Sequence, residues 1–338
     1  MAIPFHLGAV VVTSISAPND VLKSLAQGCA ERGAPFIVVG DSKSPDSFEL
    51  EGCRFLSLAA QKSLPFRYAG LCPECSYSRK NIGYLAAIKG GALFIVETDD
   101  DNFPREEFWN DRERTLAVDT VTGSGWINVY ELFADEFIYP RGFPLDQARR
   151  PGARPKRGRD RVFSDCAIQQ GLADENPDVD AVYRMLFPLP FNFRKDASLM
   201  LSEGQWCPFN SQNTTFFKDV FPLLYLPAFC SFRMTDIWRS FVAQRILWSC
   251  GLGVLFHSAT VWQERNAHDL QRDFDDEVVG YQNNAKIARK LSELKLASGI
   301  ETIPENMIFC YRTLVEAGWV GEGEITLLEA WLSDIRGL

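Results

Sequence analysis

Apolar and polar residues alternate along the first hundred positions in a pattern that predicts strands and helices in turn. Residues 18–33 and 76–91 carry apolar side chains at helical spacing, and glycines stand where each helix should end. Four short β-rich runs lie around these helices, at 8–16, 35–45, 53–59 and 92–101. Strands that alternate with helices predict an α/β class, with a mostly parallel sheet and helices on both of its faces.

The rest of the chain has a different pattern. Residues 183–232 are rich in Phe, Pro and Leu, which predicts a second, irregular half that contains β-strands. The run 234–256 has strongly helical spacing. Three more helices are predicted, around 264–297, 304–317 and 323–336. The chain is therefore expected to begin as an alternating α/β unit and to end as a helical one.

Length and composition narrow the class of protein. The 338 residues, 46% of them hydrophobic, can form one large domain or two ordinary ones. The net charge of −9 argues against a nucleic-acid partner. No apolar run approaches the ~20 residues that span a bilayer, and no basic segment precedes the first apolar run, so we expect no integral membrane segment and no signal peptide. The odd count of nine scattered cysteines favours reduced thiols and a cytoplasmic location.

Two local features have more than one interpretation. Cys72 and Cys75 form a CxxC pair, but a zinc site needs two more ligands and none is evident nearby. Residues 149–161, RRPGARPKRGRDR, hold seven basic residues and one acidic residue among Pro and Gly. This segment is either a mobile surface loop or a flap that attracts a phosphorylated or acidic glycan substrate.

The stretch with the clearest chemistry is LFIVETDDDNFP, residues 93–104. Three consecutive aspartates, Asp99 to Asp101, follow a predicted strand and supply hard oxygen ligands that suit Mg²⁺ or Mn²⁺. The helix that precedes this strand opens with Arg79 and Lys80, and a helix start beside basic residues is an anion site. The stretch therefore indicates a metal–diphosphate site, whereas the simpler interpretation is a solvated acidic turn. Neither a GxxxxGK[ST] nor a GxGxxG motif is present.

Several longer motifs resemble the STELLO-type glycosyltransferase-like family. They are SRKNIGYLAAIKGGALFIVETDDDN, WINVY with YPRGFPL, PDVDAVYRM, PFNSQNTTFF, MTDIWRSFVAQRILW and VWQERNAHDLQRDFDDEVVGY. The resemblance covers most of residues 8–281. That family is assigned the GT-A fold of nucleotide-sugar glycosyltransferases, and is more loosely related to the reversibly glycosylated polypeptides, which include UDP-arabinopyranose mutase.

The resemblance implies an architecture and an activity. It implies a GT-A-like domain over 1–260, with a donor-binding half at about 1–125 and an acceptor half at about 126–260, followed by a helical C-terminal extension over 261–338. The implied activity is transfer of a sugar from a nucleotide-sugar donor, a UDP-sugar in our interpretation, to a glycan or glycolipid acceptor. A sugar-nucleotide mutase and a non-catalytic GT-A scaffold stay open as alternatives, as does assembly into a homo-oligomer.

The resemblance also implies roles for residues near the aspartate triplet. Asp99 and Asp101 resemble the DxD pair that holds Mn²⁺ or Mg²⁺ on the donor diphosphate. Asp100 then contacts the sugar or ribose, and Asp41, which ends the second predicted strand, contacts the nucleoside. Arg79 and Asn81 resemble a basic–polar helix start that faces the donor, although an arginine that only holds the fold is an alternative.

Three further residues have both a functional and a structural interpretation. Asp236 is either the catalytic base that takes a proton from the acceptor hydroxyl or the N-cap of its helix. Arg141, in YPRGFPL, contacts donor or acceptor or simply belongs to a turn. His268 returns as a third metal ligand or is a surface histidine at a helix start.

Overall fold

A computed structural model of the chain describes residues 2–148, 155–264 and 269–338. Within them lies one large mixed sheet, with a separate two-stranded sheet beside it. The strands are β1 (Gly8–Thr13), β2 (Phe36–Val39), β3 (Arg54–Leu56), β4 (Phe94–Thr98), β5 (Asn102–Pro104), β6 (Thr115–Val121), β7 (Gly125–Trp126), β8 (Arg157–Asp165), β9 (Ile168–Asp174), β10 (Leu199–Leu201), β11 (Gln205–Trp206), β12 (Asn213–Phe217) and β13 (Val254–Gln263).

Helices cover both faces of the large sheet and make up the C-terminal part. The α-helices are α1 (Asp20–Arg32), α2 (Leu58–Lys62), α3 (Arg67–Leu71), α4 (Lys80–Lys89), α5 (Leu145–Ala148), α6 (Ala181–Leu186), α7 (Thr235–Ser249), α8 (Leu270–Ser292), α9 (Ile303–Glu316) and α10 (Glu324–Arg336). Short 3₁₀ helices lie at Phe5–Leu7, Tyr77–Arg79, Glu106–Trp109, Val129–Leu132, Lys218–Leu224, Phe232–Met234 and Ile300–Thr302.

The order of strands brings the ends of β1, β2 and β4 to one edge. The large sheet runs β3-β2-β1-β4-β12-β9-β13-β10-β6-β8, and β5 pairs with β13. Its first four strands are parallel, while β12 lies antiparallel between β4 and β9. Because parallel strands point the same way, the residues that follow β1, β2 and β4 emerge side by side.

Alternating side chains of β1 explain why helices pack on both faces. Val11 lies in the core that includes Ile82 of α4, whereas Val10 and Val12 lie in the core that includes Leu22 of α1. Successive side chains of a strand point to opposite faces, so a run of apolar residues must be covered on both sides. The predicted α/β class is confirmed: a GT-A-like sheet is flanked by helices and followed by a helical C-terminal part.

The prediction of one helix over 234–256 was wrong at its C-terminal end. Helix α7 ends at Ser249, and β13 begins at Val254. Gly251 between them has a φ of 69°, in the left-handed region that terminates helices. The apolar run that follows is a buried strand of the central sheet, which helical spacing alone cannot distinguish from more helix.

The three predicted C-terminal helices are confirmed as α8, α9 and α10. All three contribute to the hydrophobic core that includes Ile82 of α4. In α10, the Trp331 ring lies 6.1 Å from that of Tyr68. Strand β13 also runs past residue 260, where we placed a boundary. The division into domains stays a prediction.

The basic segment 149–161 is only partly a loop. Residues 149–154 lie outside the described residues, but 157–161 belong to β8, which pairs antiparallel with β6. Arg157 donates to Asp119 at 2.8 Å, and Arg161 lies 3.3 Å from the same carboxylate. The expectation of a loop was therefore wrong for these five residues, and the described arginines pair along the sheet.

None of the helices in the described ranges combines the length and the apolarity needed to cross a bilayer.

The interior of the protein contains a buried ion pair behind the end of β4. Arg239 donates to Glu97 at 2.7 and 3.0 Å, and Tyr84 donates to the same carboxylate. Since both charges are buried, removal of either partner alone would leave an uncompensated charge. Glu97, unlike the three aspartates after it, is therefore part of the framework.

Asp180 is a buried carboxylate that caps helix α6. Its Oδ1 accepts from the Tyr183 N–H at 2.7 Å and from the Tyr139 hydroxyl at 3.1 Å. Its Oδ2 is buried and has no hydrogen-bond partner among the described residues. Burial, aided by the nearby Glu277 carboxylate, raises the pKa of Asp180 to about 7. The native protein therefore holds a proton here at pH values where the unfolded chain has lost it.

We predict that Asp180→Asn removes a pH dependence of stability. Between about pH 4 and pH 7 the native carboxyl binds more proton than the unfolded one, so wild-type stability falls as the pH rises through this window. Asparagine keeps the cap and carries no charge. At pH 8 the variant should be more stable than wild type by about 2–4 kcal/mol, and at pH 5 by much less. Urea unfolding at the two pH values measures this, and equal pH slopes for both proteins would contradict it.

Candidate active site

A cleft of about 710 Å³ lies at the edge where β1, β2 and β4 end. This size lies within the range of small-molecule sites. One wall consists of the strand ends and the start of the helix that precedes β4, contributed by residues 13–15, 39–43, 75–77, 79 and 99–101. The opposite wall consists of Arg141, Asp178, Arg184, Ser211, Gln212, Phe232, Arg233, Asp236, Gln263, Asp269, Arg272, Asp273 and Asp276. Asp41 and the aspartate triplet, each predicted to follow a strand, both line this cleft.

Asp99 is held at the base of the cleft by two hydrogen-bond donors. Its Oδ1 accepts from the Tyr77 hydroxyl at 2.8 Å and from the Lys80 ammonium at 3.0 Å. The Lys80 side chain is fully buried, whereas that of Asp99 is 29% exposed. The lysine therefore neutralises part of the cluster from beneath while the carboxylate still faces the cleft.

Asp100 is turned towards the end of β1. Its Oδ2 accepts from the Ser14 hydroxyl at 2.5 Å, and its carbonyl accepts from the Asn19 amide at 2.8 Å. Burial raises the pKa of Asp100, and the neighbouring Asp99 adds to the rise while Ser14 opposes it. The central aspartate of the triplet thus fixes the turn against β1 and the cap of α1.

Asp101 is reached by the C-terminal strand of the sheet. The Gln263 amide donates to Asp101 Oδ2 at 3.0 Å, and the Glu264 N–H donates to the Asp101 carbonyl at 3.0 Å. Gln263 and Glu264 therefore lie beside the acidic cluster. His268 itself lies outside the described residues, so its predicted role stays a prediction.

Asp41 lines the cleft and also ties two loops together. Its carboxylate accepts from the N–H groups of Cys75 and Ser76, each at 3.0 Å. It also accepts from the N–H of Ser42 at 2.7 Å. The residue predicted to contact the nucleoside therefore holds the end of β2 against the start of the helical segment beneath Asp99.

Arg79 and Asn81 are committed to the framework beneath the cleft. Arg79 is 1% exposed and donates to Gln61 and to the carbonyls of Cys72 and Pro73. Asn81 is fully buried, and its amide bonds the Tyr68 hydroxyl and the backbone of Leu226. These hydrogen bonds favour the alternative in which the two side chains hold the fold, and their contact with the donor stays a prediction.

Arg141 joins two carboxylates on the opposite wall. It binds Asp178 through two nitrogens at 2.7 and 2.9 Å, and its Nη2 lies 2.9 Å from Asp236 Oδ2. Burial alone would raise the pKa of Asp236, but the Arg141 guanidinium outweighs it and holds that pKa below its usual range. Asp236 lies in the first turn of α7, after the cap position at Met234, so the N-cap interpretation of Asp236 was wrong.

Gly142 follows Arg141 in the chain, and both its backbone conformation and its surroundings require a glycine. Its φ is 85°, which favours glycine, and a Cβ there would lie 2.4 Å from a side-chain carbon of Ile237. The turn is therefore pressed against the first turn of α7, which brings Arg141 to Asp236.

Sequence reasoning missed several residues of the cleft. They include Tyr77, Asp178, Arg184, Ser211, Phe232, Arg233, Asp269, Arg272, Asp273 and Asp276. Asp178 and Arg184 lie within PDVDAVYRM, Ser211 within PFNSQNTTFF, and the last four within VWQERNAHDLQRDFDDEVVGY. The motifs that carried the family resemblance thus held a signal for these residues, but their spacing did not show which side chains meet.

The carboxylates of Asp99 and Asp101 fit a hard divalent cation. Among the described residues no three His, Cys, Asp or Glu side chains form a ready-made metal cage. Mg²⁺ and Mn²⁺ do not require one, because they bind through one or two carboxylates and take water and phosphate oxygens as further ligands. Both aspartates line an open cleft, which suits that mode of binding.

The chain is similar to known proteins, and the similarity includes residues of the cleft. Residues 233–338 match the model of the STELLO glycosyltransferases, and this segment includes Asp236 and the α8 side of the cleft. Over 96% of its length the chain is 29% identical to "Probable glycosyltransferase STELLO2" of Arabidopsis thaliana, and it is 29% identical to "Probable glycosyltransferase STELLO1" over the same share. The chain spans 44% of the length of each relative. The resemblance of this chain to the STELLO-type glycosyltransferases is therefore confirmed, over nearly all of its length.

Proposed function

We propose that the chain is a metal-dependent glycosyltransferase that moves a sugar from a nucleotide-sugar donor, a UDP-sugar in our proposal, to a glycan or glycolipid acceptor. One observation carries the proposal: Asp99 and Asp101 face a nucleotide-sized cleft at the carboxyl ends of parallel strands. Ligands of open α/β sheets bind at this position. The names of the two Arabidopsis relatives support the same class of activity.

The charge of the cleft supports a requirement for a cation. Its described lining contains nine aspartates but only six arginines and lysines. Several of those basic groups are already paired, including Arg141 and Arg233. A diphosphate would be repelled by such a lining unless a cation entered with it. Mn²⁺ or Mg²⁺ held by Asp99 and Asp101 would neutralise the diphosphate and stabilise the charge that develops as it leaves.

Further residues of the chain have proposed contacts with the donor. In this proposal the loop of Asp41 at the end of β2 contacts the nucleoside. The Asp100 carboxylate accepts a hydrogen bond from a hydroxyl group of the sugar or ribose. Ser14 holds Asp100 in place for that contact. Arg141 stays on the acceptor side, where its two carboxylate partners fix the orientation of the guanidinium.

On the acceptor side we propose Asp236 as the group that takes the proton from the attacking hydroxyl. Its carboxylate lines the cleft and is kept ionised by Arg141. A lowered pKa also makes it a weak base, so its contribution to the rate should lie near the lower end of the usual 10²- to 10⁴-fold range.

A panel of nucleotides tests the proposed function. Thermal-shift and calorimetric measurements on the wild-type chain with UDP, GDP, CMP, dTDP and their sugars, each with and without Mn²⁺, should show binding that depends on the metal and prefers one nucleotide. Absence of any metal-dependent binding by a folded chain would refute the proposal and favour the scaffold. Conversion of a bound nucleotide-sugar into an isomer without acceptor would favour the mutase instead.

A further inference from the structure

The Tyr77 hydroxyl lies where the two walls of the cleft meet. It donates to Asp99 Oδ1 at 2.8 Å, accepts from Lys80 at 2.9 Å and lies 2.6 Å from the Ser211 hydroxyl. The N–H of Ser211 in turn donates to Asp236 Oδ2 at 3.2 Å. One side chain therefore contacts the carboxylate at the strand ends and the segment that holds the carboxylate of the opposite wall.

We propose that Tyr77 is a positioning residue of the donor site: its hydroxyl sets the orientation of the Asp99 carboxylate and fixes it relative to Ser211 and Asp236. This inference rests on the proposed function, because it assigns Tyr77 to the metal–diphosphate site. Groups that hydrogen-bond a metal-ligating carboxylate orient it and tune its affinity.

Lys80 alone does not provide this orientation. Its ammonium is shared among Asp99 Oδ1, the Tyr77 hydroxyl and the carbonyls of Thr98 and Ser211. An ammonium on a flexible stem acts as a point charge, whereas the Tyr77 ring packs edge-on against Phe232 at 5.8 Å between centroids. Tyr77 and Lys80 both bind Oδ1, which leaves Oδ2 as the oxygen that a ligand in the cleft can take.

Substitution of Tyr77 by phenylalanine separates the orientation of the Asp99 carboxylate from the charge of the nearby Lys80. The variant keeps the ring against Phe232 and keeps Lys80 beside Asp99, and it removes only the hydroxyl. A matched control is Tyr225→Phe, because the Tyr225 hydroxyl also donates to a carboxylate, that of Glu324, but in the core away from the cleft. A general effect of losing a buried tyrosine hydroxyl would appear in both variants.

The experiment is calorimetric titration of UDP into each protein, with and without Mn²⁺. For Tyr77→Phe we expect the affinity in Mn²⁺ to fall by about 10- to 100-fold, while metal-free binding stays as in wild type. For Tyr225→Phe we expect the metal-dependent affinity to stay within about twofold of wild type.

The other outcomes distinguish a failure of the proposed function from a failure of the role assigned to Tyr77. Wild type that binds no UDP in Mn²⁺ refutes the proposed function and this inference with it. Wild type that binds, together with a Tyr77→Phe variant of equal affinity, overturns the role of Tyr77 and leaves the proposed function standing. If Tyr77→Phe does not fold, Ser211→Ala decides, since it removes one partner of the same hydroxyl. A smaller loss in the same direction supports the inference, and an unchanged affinity overturns it.

Discussion

Asp101→Ala is expected to abolish metal-dependent binding of the nucleotide and to lower the rate of sugar transfer by about 10²- to 10³-fold. The variant loses one of the two carboxylates proposed to hold the cation, and with it the hydrogen bond from Gln263. The Glu264 N–H still donates to the backbone carbonyl at position 101. Without metal, its stability should stay within about 1 kcal/mol of wild type, because the lost hydrogen bond and the relieved repulsion among three adjacent like charges oppose each other. Calorimetry with UDP and Mn²⁺, together with a thermal melt, measures both effects.

A control for this prediction is Asp165→Ala. Asp165 also ends a strand, β8, but its partner is Arg114 at the far edge of the sheet and its side chain is 43% exposed. This variant should keep the metal-dependent binding of wild type. If Asp101→Ala kept it as well, the assignment of the metal site to the aspartate triplet would be wrong.

Asp236→Asn is expected to separate binding from transfer. The donor wall is untouched, so metal-dependent nucleotide affinity should stay close to that of wild type. Transfer should fall by about 10²-fold, because an amide cannot accept the proton of the attacking hydroxyl. Since the pKa of Asp236 lies below its usual range, the wild-type rate should show no acidic limb from this residue near neutral pH. Initial rates and a pH profile measure this.

Asp178→Asn provides the comparison for Asp236, because both carboxylates bind Arg141. If Asp236 acts only by holding Arg141 in place, the two variants should lose transfer to a similar degree. If it accepts the proton, the loss in Asp236→Asn should be clearly greater. A rate for Asp236→Asn that matches wild type would remove the residue from the reaction altogether.

The placement of the donor-side aspartates was predictable from local sequence. A run of apolar residues followed by Asp99 to Asp101 gives a strand and its end, and the same applies to Asp41. Parallel strands then bring both ends to one edge, whatever the details of packing. The C-terminal helices were equally predictable from the sequence, since their apolar residues recur at helical spacing over three turns or more.

Other features of the site depend on contacts that are distant in sequence. Arg79 opens a helix beside the aspartates, yet its guanidinium bonds Gln61, which is 18 residues away. Asn81 bonds Leu226, which is 145 residues away. A helix start limits where a side chain begins, but the partners that satisfy its polar atoms in the interior determine where it points.

By itself, the sequence determined the alternation of strands and helices, the edge of the sheet where a ligand would bind, and the acidic character of that edge. These follow from side-chain periodicity and from chain direction, which are local properties. Only the tertiary structure decided that Tyr77, Ser211 and Asp236 form one hydrogen-bonded series and that Lys80 lies buried beneath Asp99. The Tyr77–Ser211 contact joins segments 134 residues apart. The pairing of β12 with β4, and the ion pair of Arg239 on α7 with Glu97 on β4, bring those segments together.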